Sequence, residues 1–173
     1  SMETNFTITA EMVRQHITPR SKVLVLINPG NPMGSVIPPE EVSRICEVAK
    51  EHDLIVVSDE IYARITYDDH RAQPVAVLPG MHERTITLSG VSKAYAMTGW
   101  RVGYFAGPAD LMPALSEIHH AFAISTSAVG QYAALAALTG PQDCVEEIRQ
   151  TFDKRRKVLC AGLDRLGIPY AKP

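Results

Sequence analysis

The sequence is poor in cysteine, with three in 173 residues: Cys46, Cys144 and Cys160. They are widely spaced and include no Cys-x-x-Cys pair, which argues against a disulfide framework and against a zinc site. Cys46 falls within the apolar pattern of a predicted helix, so a reduced thiol in the core is the simplest interpretation. The adjacent His119 and His120 would project in different directions from a helix, which is poor geometry for one metal ion. We therefore expect no bound metal.

A long apolar run, a secretory signal and an excess of one charge are also lacking. We therefore expect no membrane span, and a cytoplasmic location. The net charge of −2, from 17 basic and 19 acidic side chains, does not favour a nucleic-acid partner. One basic tetrad, residues 154–157, stands beside Glu146, Glu147 and Asp153 and is predicted to be a solvated helical face. No Gly-x-Gly-x-x-Gly follows the first predicted strand, so a dinucleotide site is not favoured.

What the sequence does contain is an alternation of short apolar strands and amphipathic helices. The first long helix opens with Pro39, Glu40 and Glu41, which suit the positive end of a helix dipole. This alternation predicts an α/β fold, a doubly wound and mostly parallel sheet with flanking helices. The predicted strands are 23–27, 54–58, 84–88 and 102–106, the predicted helices are 39–52, 109–121, 125–138 and 142–166, and a shorter amphipathic helix is expected within 3–20.

Lys93 and Arg101 form the most informative pair, a lysine followed eight positions later by an arginine. A lysine that condenses with an aldehyde needs a loop that aims its amine inward, and a phosphorylated group needs a fixed guanidinium. Ser89 and Ser92 add hydroxyl groups that could meet phosphate oxygens. A lysine beside a serine is ordinarily a solvated surface residue. Two further segments argue for the functional interpretation.

The first segment is the turn Asn28-Pro-Gly-Asn31-Pro-Met-Gly34, which follows an apolar strand. Ligands of parallel α/β sheets bind at the carboxyl ends of the strands, so we expect Asn28 and Asn31 to face the crevice. Their amides could donate to a phenolate oxygen. The alternative is a pair of turns without chemistry.

The second segment is Ser58-Asp59-Glu60-Ile61-Tyr62, at the end of a buried strand. Asp59 could keep a pyridine nitrogen protonated, which makes the ring an electron sink, and Tyr62 could reach the ring oxygen. The alternative for Asp59 is a helix cap, and Glu60 is interpreted as a solvated neighbour.

Together these segments resemble the class I/II aminotransferases of the aspartate aminotransferase superfamily, the fold-type I enzymes that use pyridoxal 5'-phosphate. The resemblance rests on the Asn-Pro turn, the Ser-Asp-Glu-Ile-Tyr strand end, the Ser-Lys pair and the Gly-Trp-Arg-Val-Gly-Tyr element, and it covers essentially the whole chain. It implies that Lys93 carries the cofactor and shuttles protons, and that Asp59 holds the pyridinium nitrogen. It also implies Tyr62 and Asn31 on the ring oxygen and Arg101 on the phosphate.

Two positions transfer less directly from the family. Its members differ over which hydroxyl before the lysine meets the phosphate, so Ser92 is placed ahead of Ser89. Met33 stands where the family usually has threonine, which removes a hydroxyl beside the cofactor; we expect this to tune the site rather than abolish it.

Length implies an incomplete member of this family. We expect Ser1 and Met2 to be an expression scar, residues 3–166 to be part of the cofactor-binding large domain, and residues 167–173 to begin a small domain. The family's upstream glycine-rich phosphate turn, its ring-stacking aromatic and its downstream substrate-binding arginine would then lie elsewhere. Other arginines lie in polar stretches where a solvated role is expected: Arg64, Arg71, Arg84 and Arg149.

The resemblance implies transamination between an amino acid and a 2-oxo acid, in a protein that is a homodimer at full length. A β-lyase or a cyclopropane-forming synthase of the same fold is the enzymatic alternative, because substrate positioning separates these reactions. A catalytically incompetent fragment or a partner-binding module is the alternative of another class. The last predicted helix carries an apolar stripe, of which we expect part to be exposed or used for self-association. The stripe consists of Val145, Ile148, Phe152, Val158, Leu159, Leu163 and Leu166.

Overall fold

The computed structural model describes residues 4–173, and its centre is a four-stranded sheet in the order β1-β2-β3-β4. The strands are β1 (Val23–Ile27), β2 (Ile55–Asp59), β3 (Thr85–Gly90) and β4 (Gly103–Ala106). The first three are parallel, and β4 runs antiparallel to β3. Each strand lies within two residues of its prediction, and the mostly parallel sheet confirms the expected fold class.

Five α-helices flank this sheet within residues 4–173. They are α1 (Ala10–His16), α2 (Pro39–Glu51), α3 (Met112–Ala123), α4 (Ala128–Thr139) and α5 (Asp143–Leu166). Helix α2 begins at Pro39, as predicted from its proline and acidic residues. Helix α3 begins three residues later than predicted, with Pro113 in its first turn, where a missing N–H costs nothing.

The amino-terminal helix is shorter than predicted. Of the expected 3–20 helix, the part within the described residues 4–20 is α-helical only at Ala10–His16, and the side chain of Thr9 caps it by accepting from the Met12 N–H. Pro19 has no N–H and biases the residue before it away from helical geometry, so the helix cannot run on to residue 20. The expected scar, residues 1 and 2, lies outside the described residues, and the assignment of 167–173 to a second domain stays a prediction.

The main core lies on one face of the sheet, under α1 and α2. Alternation along β1 and β2 buries Leu26, Val56 and Ser58 on this face, where α2 contributes Val42 and Ile45. The other face carries Asp59, because it alternates with Ser58. Leu88 pairs with Asp59 and Phe105 with Leu88, so they share that face, and the Phe105 ring contacts His119 of α3 edge to face. Helices therefore flank both faces.

A second, smaller core lies where α4 meets the loop between β3 and β4. Val91 and Val102 pack there against Ala134, and Tyr95 packs against the edge of this cluster. At the base of the loop, a Cβ on Gly90 would lie 2.9 Å from the carbonyl oxygen of Val102. Glycine is required at this position because the two ends of the loop approach each other backbone to backbone.

Cys46 is buried in α2, and burial raises the pKa of its thiol to about 11. This agrees with the interpretation of Cys46 as a core thiol. Among the helices of residues 4–173, none combines the length and the apolar character that a membrane crossing requires. The same residues contain no group of three or more His, Cys, Asp or Glu side chains arranged to hold a metal ion.

Candidate active site

The predicted site residues follow the carboxyl ends of the three parallel strands. The Asn28–Gly34 turn leaves β1, the segment ending at Tyr62 leaves β2, and the turn that carries Lys93 leaves β3. Parallel pairing places these three strand ends at one edge of the sheet. The fold therefore brings together segments that are far apart in sequence.

The two asparagines of the first turn have different roles. Asn28 is buried and its Oδ1 accepts from the Ile37 N–H at 2.9 Å, so it braces the turn. The Nδ2 of Asn28 is buried and has no hydrogen-bond partner within residues 4–173, so its expected position at the crevice stays a prediction. Asn31 is exposed, and its Nδ2 donates to the Tyr62 hydroxyl at 3.3 Å. This contact joins two predicted site residues.

Asp59 closes β2 and begins the next turn. Its Oδ1 accepts from the Ile61 N–H at 3.1 Å, while Oδ2 has no hydrogen bond within residues 4–173. One oxygen thus shapes the turn and the other is available. Glu60 is not the solvated neighbour that was expected, since its Oε1 accepts from the Ser58 hydroxyl at 2.9 Å and the Val75 N–H at 3.1 Å.

Lys93 is half-buried and lies above the ring of Tyr62, with 5.4 Å from Nζ to the ring centroid. Within residues 4–173 its amine has no carboxylate within ion-pair distance. A partly buried lysine without an acidic partner differs from a solvated surface lysine, which ordinarily has its charge in water. The amine is therefore positioned for chemistry at the contact between two strand ends.

Arg101 returns to the site through the loop between β3 and β4. It follows a short 3-10 turn, Thr98–Trp100, and has left-handed backbone angles, φ 54° and ψ 42°. Its Nη1 donates to the carbonyl oxygen of Thr98 at 3.1 Å. Arg101 shares a cavity of about 320 Å³ with Ser92 and Lys93. A guanidinium, a hydroxyl and an amine around one small cavity suit a phosphate group.

A larger cavity of about 550 Å³ is also lined by Lys93 and is within the size range of small-molecule sites. We call it the main cavity. It brings together Asn31, Tyr62, Ser92 and Lys93, and the last two line both cavities. Asp59 and Ser89 are not among the lining residues of either cavity. The remaining lining is Pro29, Gly30, Pro32, Gly34, Val36, Ile65, Thr66, Tyr67, His70, Ala96, Thr98, Phe152 and Pro173.

One wall of the main cavity was not anticipated from the sequence. It consists of Ile65, Thr66 and Tyr67, with Phe152 from α5 and the terminal Pro173. The only sequence signal was the position of residues 65–67 directly after Tyr62. Phe152 was assigned to an apolar stripe, and nothing in its local pattern distinguishes a cavity wall from a core position.

Several arginines expected to be solvated have specific partners, although Arg64 is still exposed. Arg64 donates to Gln142 and to Tyr95, and Arg149 donates to Glu146 and to the Thr66 carbonyl. Arg156, in the basic tetrad, is buried, so the tetrad is only in part a solvated face. Arg71 remains exposed.

Comparison with known proteins agrees with this arrangement. The family model for class I and II aminotransferases matches residues 1–173. The aspartate aminotransferase of Geobacillus stearothermophilus is 38% identical over 173 residues, and the aspartate/prephenate aminotransferase of Cereibacter sphaeroides is 39% identical over 165 residues. Those alignments take in 99% and 94% of this chain, but 44% and 41% of the relatives.

Solved structures show the same relationship. An aromatic aminotransferase from Pyrococcus horikoshii superposes with a TM-score of 0.92 at 37% identity, covering 96% of this chain and 45% of that one. An aspartate aminotransferase from Thermus thermophilus with maleate gives 0.91 at 39% identity, covering 99% and 45%. The chain thus spans less than half the length of the relatives it matches. With motifs, fold and family model in agreement, the chain belongs to the class I and II aminotransferases.

Proposed function

We propose that this chain forms part of an aminotransferase that binds pyridoxal 5'-phosphate and transfers an amino group between an amino acid and a 2-oxo acid. The observation that carries the proposal is the position of Lys93. Its amine has no acidic partner in residues 4–173 and lies over the Tyr62 ring, and Lys93 lines two cavities. The family implies the cofactor, and the donor groups of this chain suit it.

The donor groups match the chemistry of the cofactor one by one. Arg101 and Ser92 offer a guanidinium and a hydroxyl to a phosphate around the smaller cavity. Asn31 and Tyr62, already 3.3 Å apart, offer an amide N–H and a hydroxyl to a phenolate oxygen. Asp59 has one unbonded carboxylate oxygen for a pyridinium N–H. Ser89 remains a candidate phosphate contact on β3.

Each of these side chains has a definite task in the proposed reaction. When bound, pyridoxal phosphate supplies an electron sink for the carbanion formed at the substrate α-carbon. Lys93 Nζ removes the α-proton and returns it, as a general base and acid. Asp59 keeps the ring nitrogen protonated, because its negative charge favours the protonated form. Arg101 and Ser92 would hold the cofactor's phosphate, and Asn31 with Tyr62 would hold its phenolate oxygen.

Titration of the purified 173-residue chain with pyridoxal phosphate tests this proposal. We expect an absorption band at a longer wavelength than that of the free aldehyde. Borohydride reduction should attach the cofactor permanently to Lys93, and peptide mapping should locate it there. Lys93→Ala should lose both signals. Lys157→Ala is the matched control, because Lys157 is an exposed lysine paired with Asp153 and should leave labelling unchanged.

The outcomes separate the alternatives. Labelling of Lys93 would show that the residues described here suffice to hold the cofactor. A folded chain that gains no such band would show that these residues do not suffice. It would favour a pocket that other segments of the protein must complete. Formation of a 2-oxo acid that depends on an amino acceptor supports transamination, whereas pyruvate with ammonia or sulfide would support the β-lyase alternative.

A further inference from the structure

Helix α5 presents three polar side chains at seven-residue spacing: Gln142 at its N-cap, Arg149 and Arg156. Residues seven apart point in nearly the same direction on an α-helix, so these three form one polar stripe. Each contacts a different residue of 64–68, which we call the wall segment, because three of its residues line the main cavity. The contacted residues are alternate ones: Arg64, Thr66 and Asp68.

The first contact joins the wall segment to the turn that carries Lys93. Arg64 Nη1 donates to Gln142 Oε1 at 2.6 Å and to the Tyr95 hydroxyl at 2.9 Å, and that hydroxyl donates to the same Oε1 at 2.8 Å. The Gln142 amide is itself oriented, since its Nε2 donates to the carbonyl oxygens of Ala137 and Gly140. Both strand-end segments are thus attached to one fixed acceptor.

The second contact is between Arg149 and the backbone of Thr66, at 3.4 Å from Nη1 to the carbonyl oxygen. Glu146 braces the arginine from one turn earlier on the helix, at 2.7 and 2.8 Å. The guanidinium is therefore held in place before it meets the wall segment, which lowers the entropy lost in forming this contact.

The third contact is the most buried. Arg156 donates to both carboxylate oxygens of Asp68 at 2.9 and 3.1 Å, and Asp153 braces it as Glu146 braces Arg149. The Arg156 guanidinium lies 4.7 Å from the Tyr67 ring centroid, its side chain is 7% exposed, and burial raises the pKa of Tyr67. It also donates to the carbonyl oxygen of Pro173, another residue of the cavity wall.

The contact between Arg64 and Tyr95 lies beside the contact between Tyr62 and Lys93, and it joins the same two segments. Tyr62 contacts Lys93, and two residues farther along each segment Arg64 contacts Tyr95. Two short segments joined at two points cannot slide past each other without breaking both contacts. A small displacement of a reacting group has a large effect on a site that depends on orientation.

We propose that the polar stripe of α5 positions the wall segment and, through Tyr95, the turn that carries Lys93, so that Arg64 is a positioning residue of the active site. The inference that the stripe holds this wall stands on the contacts alone, while its consequence for the cofactor rests on the proposed function.

Amide hydrogen exchange in the chain without any ligand tests whether the stripe holds the wall segment in place. The Ile65 N–H, which donates to the Tyr62 carbonyl at 2.8 Å, is the reporter. Arg64→Gln should speed exchange of this amide about three- to tenfold, as expected for loss of one or two hydrogen bonds to a charged group. Arg71→Gln removes the same charge from an exposed arginine seven residues farther along the chain, and it should leave exchange of the Ile65 amide unchanged. Equal exchange in the two variants would overturn the proposal.

Visible circular dichroism of the pyridoxal phosphate-loaded chain tests the consequence for the site. The intensity of the band per bound cofactor reports its orientation against the wall, which a loss of stability alone would not change. We expect Arg64→Gln to reduce this intensity and to weaken cofactor binding about three- to tenfold, with partial rescue in Arg64→Lys. An unchanged band in Arg64→Gln would overturn the positioning role.

A second pair of variants covers the case in which Arg64→Gln unfolds. Tyr95→Phe removes only the hydroxyl and keeps the packed ring, and Tyr132→Phe removes a hydroxyl from an exposed tyrosine as its control. Tyr95→Phe should alter both the exchange of the Ile65 amide and the circular dichroism of the bound cofactor. Tyr132→Phe should alter neither. If the unmodified chain gains no pyridoxal phosphate band, the described residues do not suffice to hold the cofactor, but the exchange comparison still decides whether the stripe holds the wall.

Discussion

At the scale of single residues, the site depends on groups that retain unused hydrogen-bonding capacity. Asp59 uses one oxygen for the Ile61 N–H and leaves the other free, and Lys93 has no acid beside it in the described chain. Three arginines near the site have their hydrogen-bonding groups engaged: Arg64 with Gln142 and Tyr95, Arg149 with Glu146, and Arg156 with Asp68. Free capacity at Asp59 and Lys93 is what distinguishes a reactive arrangement from a structural one.

Asp59→Asn should keep the fold and weaken the cofactor site. The new amide oxygen can still accept from the Ile61 N–H, so the turn is preserved, but the negative charge is lost. We expect pyridoxal phosphate to bind roughly tenfold more weakly, the scale of one charge-assisted hydrogen bond. Absorption titration measures this, with Asp110→Asn, at an exposed position, as the control. Equal affinity in both variants would remove Asp59 from the site.

At the scale of elements, α4 and α5 support the site in two different ways. Helix α4 packs closely against a loop, and α5 makes hydrogen bonds and ion pairs with long side chains. Helix α4 approaches the loop before β4 so closely that glycine is needed at position 130. Helix α5 instead contacts the site through long polar side chains. Close backbone packing tolerates little change in volume, whereas long side chains tolerate more.

Gly130→Ala should destabilise the chain although alanine favours helices. A Cβ there would lie 2.9 Å from Val102 Cγ2 and 3.4 Å from the Trp100 carbonyl oxygen. Overpacking costs about 1–3 kcal/mol and the helix gains about 1 kcal/mol, so we expect a net loss of about 1 kcal/mol. Denaturant unfolding measures it.

Gly162→Ala in α5 is the matched control. A Cβ at Gly162 meets no heavy atom within 4 Å, so only the helical preference of alanine remains. We expect this variant to be more stable by about 1 kcal/mol. Stabilisation by both substitutions would show that α4 does not pack against Val102 as described.

The pair formed by Glu146 and Arg149 should make α5 sensitive to acid. Hydrogen bonds from Arg149 lower the pKa of Glu146 to about 2, from an ordinary 4.5. Because the folded pKa lies below the unfolded one, the stabilisation is present above pH 4.5 and is lost as the pH falls toward 2. Glu146→Gln should therefore lower the melting temperature at neutral pH and match the parent chain near pH 2.

Glu147→Gln is the control for this prediction, because the neighbouring Glu147 side chain has no ion pair in the described chain. Its melting temperature at neutral pH should stay close to that of the parent chain, because no ion pair is lost. A Glu146→Gln difference that is insensitive to pH would contradict the assigned ion pair. The measurement is the melting temperature by circular dichroism across a pH series.

At the scale of the whole molecule, the described chain exposes much apolar surface. Several of the large values lie on and between α3 and α4, which we call the α3–α4 surface: Phe122 88%, Tyr132 75%, Ile124 73% and Val129 69%. On α5, Val158, Leu159 and Leu166 are also exposed, as expected for its apolar stripe. Surfaces of this kind mark contacts with other protein segments. A homodimer of the longer protein stays a prediction.

We expect the 173-residue chain to self-associate through the α3–α4 surface. Light scattering should show a mass that rises with concentration, and Phe122→Lys should reduce that rise by placing a charge on the surface. Val77→Lys, at another exposed apolar position, should not. A constant monomer mass over a wide concentration range would count against this prediction.

The elements and motif positions were predictable because their causes are local. Apolar alternation marked β1 and β2, and the proline and acids at the start of α2 placed its first turn. Both bounds of α1 differed from the prediction by several residues, because capping by Thr9 sets its start and Pro19 prevents its continuation to residue 20. Asn31 and Asn28 look equivalent in sequence, yet only Asn31 reaches the main cavity.

By itself, the sequence determined the family, the order of the strands along the chain and the identity of the residues at their carboxyl ends. Those features depend on residue type and spacing, which are properties of short segments. Only the tertiary structure decided that Gln142, Arg149 and Arg156 brace the wall of the site, and that Lys93 lies over the Tyr62 ring. Such contacts join residues 31 to 88 positions apart, and their partners are set by how strands and helices pack rather than by any local pattern.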